Sequence, residues 1–97
     1  MTPAKVLEVV ERYRAFFVAR GIGKADYPHD AVLNQPGAAL AHCHGMLDKM
    51  VVFIHEGWME KTFRWLGFIQ GVLWSHQIYT LEELKNHSRP PEEGSAE

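Results

Sequence analysis

Residues 59–76, MEKTFRWLGFIQGVLWSH, constrain the fold more than any other stretch, because as a helix they leave almost no face free of apolar side chains. At about 100° per residue, Phe63, Trp65, Leu66, Phe68, Ile69, Val72, Leu73 and Trp74 run nearly all the way round. A helix of this kind is expected at the centre of a small bundle, or else to bury its spare side against another copy or a partner. Gly67 and Gly71 leave one stripe bare. A mid-helix glycine costs about 1 kcal/mol relative to alanine, so close packing of a second backbone against Gly67 and Gly71 is the expected compensation.

The remaining segments supply neighbours for that helix. Thr2-Pro3 is a helix opening, a hydroxyl N-cap followed by proline where its missing N–H costs nothing. Val6, Val10, Tyr13 and Phe17 then recur at i, i+4, i+7 and i+11, and Gly21 and Gly23 break the pattern. Residues 22–37, IGKADYPHDAVLNQPG, carry two prolines and no sustained period, so they read as an ordered loop with a turn around Asp30 to Leu33. A helix is expected from about Ala38 to about Gly57, with Leu40, Cys43, Met46, Leu47, Met50, Val51, Ile54 and Trp58 on its core face. His42, Lys49 and Glu56 fall on its outer face. Thr80-Leu81-Glu82-Glu83 is a capping box that starts a short helix at about 81–87, with Tyr79 and Leu84 at the staple positions. The expected fold is all-α, three main helices and a short C-terminal one, forming one domain over 1–88 with a frayed tail over 89–97.

Charge narrows the function classes. Ten basic residues against twelve acidic ones leave a formal charge of −2 with no run of one sign, which argues against binding a phosphate backbone. A helix-turn-helix reading of the last two helices fails for a second reason. The reader helix would be LEELKNH, whose first turn presents Glu82 and Glu83 to phosphates. Six histidines would carry the charge from −2 to +4 if all were protonated, so sensitivity to pH between about 5 and 7 is expected. One cysteine excludes an internal disulfide framework and suits a reducing compartment. The N-terminal stretch has charges inside its apolar pattern, no segment approaches about 18 apolar residues, and the expected location is the cytoplasm, away from membranes.

The stretch LAHCHGMLDKMVVFIHEGW, residues 40–58, looks most like chemistry. Neighbours on a helix diverge by about 100°, so His42 and His44 point away from Cys43, which reads as a small buried hydrophobe rather than a nucleophile. His44, Asp48 and His55 share one edge of the helix. At about 1.5 Å rise per residue, however, His55 lies about 16 Å from His44 and cannot share an ion with it. His44 and Asp48 remain as a half-site, with His29 and Asp30 in the loop as the only other candidates. A metal-binding protein or metal-dependent hydrolase using these four is the alternative functional reading. Glu56 and Glu60 read as solvated surface, and no glycine-rich phosphate loop is present. No cofactor is expected.

Residues 60–90, EKTFRWLGFIQGVLWSHQIYTLEELKNHSRP, resemble a group of small helical proteins of tailed phages, prophages and scattered bacteria. These share the RWLGFIQGVLW helix followed by YT-LEELKNH-RP, and HCHGMLD extends the likeness loosely into the preceding helix. The resemblance implies a phage-type or accessory setting and assigns no activity. The leading functional expectation is therefore non-enzymatic association with a protein partner or a second copy. Arg64, Trp65 and Phe68 are the expected contacts, since Trp65 and Phe68 lie off the Phe63, Leu66, Leu73 arc. Gln70 lies within that arc. If buried it needs either an internal backbone partner or a symmetry-related Gln70 across a two-fold axis.

Overall fold

Thr2 opens the first helix through its side chain: Oγ1 accepts the Lys5 N–H at 3.1 Å and α1 runs over Pro3–Ala19. The computed structural model describes residues 1–89. Three further helices follow, α2 over Ala38–His55, α3 over Met59–Ser75 and α4 over Leu81–Ser88. Gly57 makes the tight corner between α2 and α3 at φ +81°, a backbone state that a side chain would strain. The capping box of α4 is complete, with Glu83 N–H donating to Thr80 Oγ1 at 3.1 Å and Thr80 N–H donating to Glu83 Oε1 at 3.0 Å. The chain is all-helical, three long helices and one short, with no strand among the described residues. Apart from Arg89, the expected tail lies outside them. No helix among them is long and apolar enough to cross a membrane.

The order of packing differs from the expectation for the third helix. It is α2 that sits centrally, against α1 on one side and α3 on the other, while α4 rests on α1 and α3. Cys43, Leu47 and Met50 of α2 meet Val6, Val10, Tyr13 and Phe17 of α1 and Leu66, Ile69 and Leu73 of α3, all buried, with Leu84 closing the core from α4. Only one stripe of α3, Thr62, Leu66, Ile69 and Leu73, is buried. With few neighbours to cover it, α3 leaves Phe63, Phe68 and Trp74 on its outside, 40%, 53% and 51% exposed. Trp58 is also exposed, because α2 ends at His55 and the helical register that placed it on the core face ends there too. The turn in the long loop is closed by Ala31 N–H on the Pro28 carbonyl at 3.1 Å, two residues earlier than expected.

Candidate functional site

The histidine-rich face of α2 is where the loop docks. Ala25 N–H donates to the Ala41 carbonyl at 3.0 Å, Tyr27 N–H to His42 Nδ1 at 3.2 Å, and His44 Nδ1–H to the Ile22 carbonyl at 2.8 Å. Lys24 pairs with Asp48 at 2.8 Å and Lys49 with Asp26 at 3.1 Å, outside this line of backbone bonds. Gly45 lets the loop lie this close: a Cβ there would stand 2.6 Å from the Ala25 carbonyl oxygen, a distance real Cβ atoms do not show. His42 is therefore half-buried under Tyr27 and not on an open outer face. The same arrangement sets the proton on each ring, since His42 accepts at Nδ1 and carries its neutral-form proton on Nε2, whereas His44 donates from Nδ1.

This docking dissolves the proposed metal half-site. Asp48 is held by Lys24 and, at 3.1 Å, by Arg14, and the Lys24 ammonium holds its carboxyl below the usual carboxylate range. His44 is buried with its ring stacked on Phe17, centroids 5.1 Å apart, and its Nε2 has no hydrogen-bond partner. His29 and Asp30 lie exposed at the loop's turn. Among the described residues, no group of three or more His, Cys, Asp or Glu side chains is placed to hold an ion, so His29, Asp30, His44 and Asp48 do not form one site. Cys43 is buried as expected, and burial pushes its thiol up to about 12, which leaves it protonated and unreactive at neutral pH.

The docked loop, α2 and α3 together enclose a groove of about 440 Å³. Met46 of α2, Tyr27 and Leu33 of the loop, and Trp65 and Phe68 of α3 give it apolar walls; Lys49, Arg64, His29 and His42 bring polar and cationic groups to it. Three of the residues expected to bind a partner, Arg64, Trp65 and Phe68, thus meet in one place with the loop. The loop's share is invisible to periodicity, because it depends on a backbone contact at Gly45 between segments about 20 residues apart.

Gln70 does not belong to that surface. Its Nε2 donates to Tyr13 Oη and to Ser88 Oγ, both at 3.1 Å, so its partners within the chain are side chains of α1 and α4 and not the expected backbone group. Tyr13 Oη, which accepts from Gln70, also lies 3.0 Å from His87 Nδ1, within hydrogen-bond distance. Burial pushes the Tyr13 phenol up to about 12. The same cause lowers His87, which also packs edge-on against Tyr79 with centroids 4.7 Å apart. Gln70 is a structural tie between three helices.

Trp65 has a second set of contacts at the α2–α3 corner. Its ring meets Phe53 edge-on at 4.8 Å, and Phe53 stacks on Trp58 at 5.8 Å. The Lys61 ammonium sits 4.5, 5.5 and 5.8 Å from the Phe53, Trp58 and Trp65 centroids, so three rings share one cation. These contacts hold Trp65 half-buried, whereas Phe68 and Arg64 stand exposed. Gly67 and Gly71 lie on the outer face with nothing within 4 Å of an added Cβ, so the close packing expected of them does not occur among the described residues. No family model, curated protein or solved structure matches the chain.

Proposed function

We propose that this chain works by protein association through the outer face of α3, with a second copy as the simplest partner, in the phage-type or accessory setting implied by residues 60–90. The supporting observation is the composition of that face. Phe63, Phe68 and Trp74 are exposed around Gly67 and Gly71, which have nothing opposite them among the described residues. Each glycine costs the helix about 1 kcal/mol relative to alanine, and a helix of a second molecule packing on the bare stripe offsets that cost while covering the three rings. Isologous contact of α3 with α3 presents this same patch from both sides, as a two-fold dimer requires.

Sedimentation velocity of the full chain tests this reading. The expected result is a concentration-dependent dimer that the double substitution Gly67→Leu, Gly71→Leu converts to a monomer with its helicity intact. A wild-type chain that sediments as a monomer up to millimolar concentration overturns self-association. Phe68→Ala is the second variant, expected to weaken the dimer without unfolding it. It is cleaner than Trp65→Ala, which also empties one side of the Lys61 cage.

A further inference from the structure

We infer that the groove between the 22–37 loop, α2 and α3 is a binding site for a small carboxylate with an aromatic or aliphatic body. Its volume of about 440 Å³ falls in the range of roughly 300–1,000 Å³ typical of small-molecule sites. Apolar groups come from three different elements, Met46 from α2, Trp65 and Phe68 from α3, and Tyr27 and Leu33 from the loop. Docking of the loop by Ala25, Tyr27 and Lys49 assembles them before any ligand arrives.

The charge around this apolar space selects the head group. The chain carries a formal charge of −2, yet the groove is lined by Lys49, Arg64 and the imidazoles of His29 and His42 against one carboxylate, Asp26. That carboxylate is already taken by Lys49 at 3.1 Å, and the Lys49 ammonium holds it below the usual carboxylate range. Arg64 is differently placed. Its acidic partner is Glu60 at 3.4 Å, a side chain 91% exposed and one turn away, and such solvated pairs are weak. A ligand carboxylate can therefore recruit the guanidinium in a two-pronged contact at little cost. His42 contributes a fixed donor, because its Nδ1 is occupied by the Tyr27 N–H and its proton is on Nε2. An amine would meet like charge at both Lys49 and Arg64 and is disfavoured.

Phe68 belongs both to this groove and to the proposed association face, so the test reads binding and self-association separately. The full chain is titrated with 4-phenylbutyrate, 4-phenylbutanamide and 4-phenylbutylamine, followed by calorimetry and tryptophan fluorescence, with light scattering on the same samples. The expected result is saturable binding of the acid at least tenfold tighter than the amide, with the amine weakest, in samples dilute enough to be monomeric. Arg64→Gln removes the preference for acid over amide, and Lys49→Gln reduces the preference in part. Trp65→Phe abolishes the fluorescence response while Trp74→Phe keeps it. Failure of the acid to saturate at millimolar concentration, equal affinity for all three probes, or an undiminished acid preference in a folded Arg64→Gln chain each overturns the assignment.

Discussion

α2 and α3 are neighbours of nearly equal length, 18 and 17 residues, and each has glycine in its interior, yet they use it in opposite ways. At Gly45 the missing side chain is filled by the Ala25 carbonyl, and the loop that follows closes over the polar face of α2. At Gly67 and Gly71 nothing fills the space, and the rings beside them stay exposed. A glycine in a helix is therefore not informative by itself. Its meaning comes from what stands opposite, and α2 finds that partner inside the chain while α3 presents its bare stripe outward.

The contrast is most strongly tested at the buried and exposed side chains of the two helices. Leu47→Ala in α2 removes a fully buried side chain and is expected to cost about 2–5 kcal/mol, whereas Phe68→Ala in α3 should change the stability of the monomer by less than about 0.5 kcal/mol. Urea denaturation checks both, and similar costs would erase the distinction. Next in size is Gly45→Ala, which forces the loop off the helix and should lose about 1–3 kcal/mol. Loss of protection at the Ala25 and Tyr27 amides in hydrogen exchange would locate the damage.

Smaller again is a dependence on pH carried by the tie between α1, α3 and α4. Burial, and then Arg12, lower His87 below its ordinary value of 6.5, so the unfolded chain takes up the proton more readily than the folded one. The stability contributed by His87 is present above about pH 6.5 and is lost as the pH falls through its lowered folded value. Protonation also makes both ring nitrogens of His87 donors, with Nδ1 3.0 Å from Tyr13 Oη. Denaturation midpoints at pH 7 and pH 5 should differ less in His87→Asn than in the wild type, and equal differences would exclude this role. The smallest effect is a gain: Gly67→Ala, with open space around its Cβ, should stabilise the monomer by about 0.5–1 kcal/mol. A loss instead would mean that a second backbone already lies against it.

Local rules made the elements legible. The Thr2 and Thr80 caps, the buried series Val6, Val10, Tyr13 and Phe17, and the boundaries of α2 and α3 follow from hydrogen bonds and periodicities within a few residues, and the structure shows them close to where they were expected. The histidines were only half legible. A helical wheel separates His42, Cys43 and His44 correctly, but it treats the far side of α2 as open to solvent, and the loop covers it. Gln70 was recognised as needing a partner, yet Tyr13 is 57 residues away and Ser88 lies on another helix, so no local pattern names them.

The amino-acid order by itself determined that this chain forms three long helices and a short one, about where each starts, and that α3 has more apolar surface than a small core consumes. Those outcomes depend on backbone capping, side-chain period and composition, all of which act over one or two turns. Only the tertiary structure decided that α2 is the central helix, that Asp48 and His44 fasten the loop, and that Arg64, Trp65 and Phe68 share a groove with Tyr27 and Lys49. The physical reason is one contact between distant segments. Gly45 and Ala25 approach without a side chain between them, and that approach brings the loop's Tyr27 to the groove.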